Sequence, residues 1–355
     1  MIKEYKDNLS INYIGWNRKD AIEKVSENFL KNLKHKVKFK IIKLSVGPKN
    51  KFLWIFIIFF NFFRLIKFYF EKRIIHFEEP KHMELFVNLL FSYKKSMLTV
   101  HHLENKNSIL NWFFLKEKLK HCSFSRLIAI SDKTKRDLIE QYNINSKKIT
   151  VAYLGVDKKI FKPTNKKIKF LKDKKYILYL GSEIPRKNIE NILKAFKEIS
   201  KKYPDLYLIK AGYSGGDKYR ENTKRLIKEL GLTKKIIIVS KRLKEEELPI
   251  YYSNAELFVY PTLQEGFGMP LVEAMACGCP VVTSNIDPMK EIVKNQVLVN
   301  PYEYKDIAKG INKILSNKSY KEELIKRALE RAKDFDWDKF ANKILKVYKD
   351  LGKTK

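Results

Sequence analysis

The chain is 355 residues long, 45% hydrophobic and 32% charged, with 73 Lys and Arg against 40 Asp and Glu and a formal net charge of +33. That length and apolar content exclude a disordered chain and predict two domains, each with its own core. Three cysteines, Cys122, Cys277 and Cys279, without paired spacing or a nearby histidine set, argue against a disulfide framework and a zinc site and fit a reducing cytoplasm.

Residues 1–8 are charged, so no signal peptide is expected. Strand-helix alternation follows, with predicted strands over 9–14, 37–44, 73–77, 96–101, 127–130 and 149–153. Predicted helices over 21–33, 83–93, 109–120 and 132–141 separate them. Between the second and third strands runs the apolar segment 52–63, broken only by Asn61 and followed by Arg64 and Lys67. It is short of the roughly 20 residues needed to span a bilayer. Its aromatic and basic character suits the surface of an anionic membrane, the alternative being a helix packed on the first sheet.

Proline, asparagine and a lysine run mark a linker at 164–175, after a first domain of 1–163. A second alternation places strands at 176–180, 206–211, 236–239, 257–260, 281–283 and 297–299 within a domain of 176–335, and 336–355 reads as an amphipathic helix. The expected fold class is α/β, with two Rossmann-like domains facing a central cleft. Gly212, Gly215 and Gly216 have the wrong spacing for a dinucleotide fingerprint, which disfavours a redox cofactor. The excess of positive charge admits nucleic acid, an anionic membrane or an acidic substrate as partner. The lysines are dispersed and no zinc-finger or RNA-recognition pattern occurs, so nucleic acid is disfavoured.

The most informative segment is Glu265-Gly-Phe-Gly-Met-Pro-Leu-Val-Glu273, a loop leading from an apolar strand into a helix with Pro270 in its first turn. Its glycines allow close backbone approach, and a helix start favours an anion by roughly 0.3 to 2 kcal/mol. Glu273 is read as an acceptor for a ribose and Glu265 for a second sugar. The earlier loop Gly181-Ser-Glu-Ile-Pro-Arg186-Lys187-Asn188 sets two cations at the carboxyl edge of a sheet, where a phosphate ligand is met.

The run from Glu265 to Glu291 resembles the nucleotide-sugar half of the family 4 (group 1) GT-B glycosyltransferases, whose hallmark is two glutamates separated by seven residues. The resemblance extends from about Ser96 onward and implies a GT-B fold whose last helix crosses back to the first domain. It implies a retaining glycosyltransferase that moves a sugar from a UDP- or GDP-sugar to an acceptor hydroxyl, with a lipid-linked or cell-envelope glycan as the expected acceptor. Arg186, Lys187 and the helix start at Gly268, Met269 and Leu271 would hold the diphosphate, without a metal or other cofactor. Glu273 would bind the ribose, Glu265 and His101 the transferred sugar, and Lys241 and Arg242 the base.

Gly15, in what remains of a Gly-rich first loop, is expected among the donor-binding residues, and Gly155 and Asp157 are expected to be structural. Two departures are plain: His102 replaces the usual aspartate, and Ser182 stands where several relatives carry a basic residue. The expected setting is cytoplasmic, peripheral to the inner face of the cell membrane. Rival readings are a catalytically silent glycan-binding subunit, a phosphate-dependent glycan-processing enzyme and a nonspecific polyanion binder.

Overall fold

The apolar runs pair into two all-parallel six-stranded sheets in the computed structural model, which describes residues 9–16, 21–44, 73–78, 95–101, 103, 125–171, 174–241 and 243–353. The first sheet is built from β1 (Ser10–Trp16), β2 (Lys38–Leu44), β3 (Ile74–Phe77), β4 (Ser96–Val100), β5 (Arg126–Ala129) and β6 (Ile149–Val151), in the order β2-β1-β3-β4-β5-β6. Helices α1 (Ala21–Leu33) and α2 (Asp132–Glu140) belong with it. Ser131 caps α2 by accepting the Thr134 N–H at 3.0 Å, which is why the helix starts where it does.

The second sheet has the order β12-β11-β10-β7-β8-β9. Its strands are β7 (Lys175–Leu180), β8 (Leu206–Ala211), β9 (Ile236–Val239), β10 (Leu257–Tyr260), β11 (Val281–Ser284) and β12 (Val297–Val299). The helices between and after them are α3 (Ile189–Lys202), α4 (Asp217–Glu229), α5 (Leu248–Ser253), α6 (Met269–Ala276), α7 (Met289–Val293), α8 (Tyr304–Leu315) and α9 (Lys318–Ala332). Strands buried on both faces read as continuous apolar runs, and β10, Leu-Phe-Val-Tyr, is buried at all four positions. The helices supply the covering stripe, as α3 does with Ile189, Ile192, Leu193, Phe196 and Ile199.

The chain divides into two units, 1–155 with 336–355 and 156–335. The first unit includes α10 (Trp337–Lys353), which buries Trp337, Phe340, Ile344, Val347, Tyr348 and Leu351 along one stripe. Phe340 meets Phe29 edge to face at 5.7 Å, and the Tyr348 hydroxyl lies 2.6 Å from His76 Nδ1. Gly155 is a packing position: a Cβ there would stand 2.3 Å from the Trp337 nitrogen. Asp157 accepts the Lys159 N–H at 2.9 Å in a local turn.

Within the segment read as a linker, the described residues make contacts in the second unit. Thr164 N–H donates to Ser253 Oγ at 3.2 Å, Asn254 donates to the Lys166 carbonyl at 2.8 Å, and Leu171 is buried. Gly15 differs from its expected place in a loop. β1 runs through it to Trp16, because all seven residues from Ser10 pair in register with Lys38 to Leu44. Among the described residues no helix is long and apolar enough to cross a membrane. The apolar segment 52–63 and the helices expected over 83–93 and 109–120 lie outside the described residues, as does Cys122.

Candidate active site

Strand order decides where the second unit can take a ligand. β7 and β10 are neighbours although two strands, β8 and β9, separate them in sequence order, so the chain departs in opposite directions beyond their carboxyl ends. That divergence opens a crevice, the usual ligand position in a parallel sheet. The loop after β7 carries Arg186 and Lys187, and the loop after β10 carries Glu265 and Gly268.

Hydrogen bonds fasten the two loops. Thr262 Oγ1 and the Leu263 N–H both donate to the Arg186 carbonyl at 2.8 Å. Asn188 adopts a left-handed conformation with φ +61° and donates through Nδ2 to the carbonyls of Pro261 at 2.8 Å and Pro301 at 2.6 Å. Such a conformation is uncommon outside glycine, and asparagine tolerates it better than most residues. The Pro185–Lys187 turn is thereby held against the loop that follows β10.

Within this frame the charges converge on one carboxylate. Arg186 Nη1 lies 3.0 Å from Glu265 Oε1, and Lys187 Nζ donates to the same oxygen and to the Tyr260 hydroxyl. Tyr260 in turn donates to Glu265 Oε1 at 3.0 Å. Burial pushes the Glu265 carboxyl up, but the Lys187 and Arg186 charges outweigh it and hold it below its ordinary value. Burial likewise depresses the Lys187 ammonium, and Glu265 offsets that only in part. The Glu265 and Lys187 side chains are 13% and 12% exposed, whereas Arg186 is 44% exposed and reaches solvent.

Gly268 enters α6 with φ +97°, a region that favours glycine, and Pro270 occupies the first turn. Leu271 is packed rather than presented: its side chain is buried and its N–H donates to the Gly268 carbonyl at 2.9 Å. Glu273 lies on the buried side of α6 and accepts the Tyr252 hydroxyl at 3.1 Å, so the two glutamates of the motif have different surroundings. Lys241 is exposed and paired with Glu247 at 2.5 Å, apart from this cluster of contacts. Arg242 and His102 are outside the described residues.

In the first unit His101 follows β4 and is 6% exposed, with Nε2 3.9 Å from Glu78 Oε1. Glu78, which accepts the Ser26 hydroxyl, was not singled out by the sequence pattern. Nor were Tyr260, Thr262 and Asn188. Their contacts join loops more than seventy positions apart, a relation absent from local spacing. A signal did exist for Lys210, a lone cation inside the otherwise apolar strand β8. A buried lysine demands a carboxylate partner, which is Glu183. Cys277 and Cys279 are buried and unbridged, and no group of residues suited to a metal occurs among the described residues.

The profile of the family described as Glycosyl transferases group 1 matches residues 161–331, and that of Glycosyltransferase Family 4 matches residues 23–159. The O-antigen chain mannosyltransferase B of Escherichia coli is 36% identical over 181 residues, which are 50% of this chain and 46% of that one. The O-antigen chain mannosyltransferase RfbU of Salmonella typhimurium is 32% identical over 203 residues, 57% of this chain and 54% of that one. The chain thus spans about half the length of these curated relatives, or less.

Among solved structures, sucrose-phosphate synthase from Thermosynechococcus elongatus superposes with a TM-score of 0.80 at 21% identity, covering 97% of this chain and 99% of that one. Anabaena Alr3699/HepE in complex with UDP and glucose gives 0.81 at 18% identity, covering 97% and 100%. At such identities the likeness is one of fold, the two-sheet GT-B arrangement. With the two profiles spanning nearly the whole of residues 23–331 and this fold beneath them, the chain belongs to the family 4, group 1 glycosyltransferases.

Proposed function

We propose that the protein is a retaining glycosyltransferase that moves a hexosyl group from a UDP- or GDP-sugar to a hydroxyl of a lipid-linked or cell-envelope glycan. The observation that carries this reading is the Arg186–Lys187 pair, fastened at the carboxyl edge of β7 and β10 beside the Glu265 carboxylate. The names of the relatives, mannosyltransferases of O-antigen chains, support a mannosyl donor and an envelope acceptor. The nucleotide in the Anabaena structure supports a nucleoside diphosphate as the leaving group.

In this reading the bond between the sugar's anomeric carbon and the diphosphate breaks, and the two cations stabilise the charge that collects on the leaving oxygen. The acceptor oxygen bonds to the same face of that carbon, and its proton passes to the departing phosphate. Glu265 contacts the transferred sugar, and Glu273 takes the ribose hydroxyls. Arg186 and Lys187 supply the positive charge, so the reading routes no step through a metal ion. The net charge of +33 supports work at an anionic membrane surface, at its inner face.

The test is calorimetric titration of UDP, GDP and ADP into the wild type and Lys187→Ala, with inorganic phosphate and heparin as controls. One nucleotide bound selectively and weakened about 10- to 100-fold in the variant is the expected result, the loss of one charge-assisted contact. Equal, weak binding of every anion would remove the reading in favour of a general polyanion binder. Product anomeric configuration, read by proton coupling constants, tests retention, which an inverted linkage would overturn.

A further inference from the structure

Strand β8 reads Leu-Tyr-Leu-Ile-Lys-Ala, and its Lys210 is 2% exposed. Burial depresses this ammonium, and the Glu183 carboxylate counters that effect. Lys210 Nζ lies 2.5 Å from Glu183 Oε1, and Arg220 grips the same carboxylate with Nη2 at 2.8 Å from Oε1 and Nε at 3.0 Å from Oε2. The Glu183 side chain is fully buried. One carboxylate therefore holds two cations inside the second unit.

A buried ion cluster contributes little net stability, because desolvation offsets the Coulombic gain, and an apolar replacement of similar volume is often neutral or stabilising. What this cluster does can be read from the backbone it grips. Glu183 lies three residues before Arg186, and its N–H donates to the Ser214 carbonyl at 2.9 Å. Lys210 donates to the Gly212 carbonyl at 2.8 Å, and Arg220 Nη1 reaches Ser240 Oγ at 3.3 Å. The loops after β7, β8 and β9 are thus tied to a single carboxylate. Two glycines show how closely they pack: a Cβ on Gly215 would stand 2.5 Å from Ile184 Cγ2, and one on Gly212 would stand 3.1 Å from the Gly181 carbonyl oxygen.

We infer that Glu183, Lys210 and Arg220 form a positioning triad that sets where the Arg186–Lys187 turn stands at the sheet edge and so governs affinity for a nucleoside diphosphate. The inference rests on the proposed donor site, but the triad acts through the loops and not through the ligand. Loose cations would have to be ordered at the moment of binding, whereas cations held in place beforehand spare that ordering entropy.

The test compares wild type, Lys210→Met, and a triple variant combining Glu183→Leu, Lys210→Met and Arg220→Met. Thermal melts, hydrogen exchange of peptides spanning 181–188 and 212–216, and calorimetry with UDP and GDP are read on each. The expected result for the triple variant is a melting temperature near that of the wild type, faster exchange confined to those two loops, and nucleotide affinity lowered about tenfold or more. Lys210→Met keeps the Glu183–Arg220 pair and decides the matter should the triple variant fail to fold. Unchanged loop exchange together with unchanged affinity in a folded variant would overturn the triad's role. A wild type that binds neither nucleotide while the variant's loops loosen would overturn the donor site and leave the positioning role standing.

Discussion

Glu265 occupies the same cations that a diphosphate would need. Its carboxylate balances Arg186 and Lys187, so under the proposed function an incoming phosphate would compete with an internal anion. Glu265→Gln is therefore expected to bind a nucleoside diphosphate several-fold more tightly while turnover falls, a pairing of effects visible by calorimetry and steady-state assay. A second residue prediction concerns acid stability. Burial, with the neighbouring His101 adding to it, lowers His76 from 6.5 to about 3. Its ring bridges the Tyr348 hydroxyl and Thr99 Oγ1, at 2.6 and 2.8 Å. A base depressed in the folded state contributes no destabilisation above 6.5, and stability then falls as pH drops toward the folded value. Denaturant melts of the first unit should lose roughly 2 kcal/mol between about pH 7 and about pH 5, a slope absent in His76→Phe.

The α6 entrance shows how backbone conformation builds a site. Gly268 lies at φ +97°, and a Cβ there would stand 3.0 Å from Leu271 Cδ1. Gly268→Ala is expected to cost about 1 to 3 kcal/mol in a melt and to weaken nucleotide binding, since the turn before α6 must shift. Much of this architecture was legible because buried parallel strands are continuous apolar runs: β8, β9, β10 and β12 begin and end where the residue pattern puts them. Gly15 escaped, because pairing with β2 carries β1 past a residue that alone predicts a turn. In the 164–175 segment, read as a linker, the polar composition hides one buried side chain, Leu171. In the site, Arg186, Lys187 and Glu265 were visible as charged residues flanking loops. The Tyr260 hydroxyl and the Thr262 and Asn188 bonds arise from the adjacency of β7 and β10, which no local spacing encodes.

At the scale of the whole molecule, a charge of +33 makes ionic strength a variable of function. Raising salt from about 0.01 M to about 0.15 M shortens the Debye length from about 30 Å to about 8 Å. Sedimentation with anionic vesicles should fall steeply over that range, while neutral vesicles should leave the protein in the supernatant at any salt. The division of the chain has a consequence for its making. The second unit is one continuous stretch, 156–335, whereas the first is closed by 336–355, with α10 covering Phe29 and His76. During translation the middle of the chain can complete its core while the beginning waits, its aromatic face open, for a helix not yet synthesised. On this division the order of emergence and the order of core completion are expected to be reversed between the two units, the last helix being the piece that closes the first.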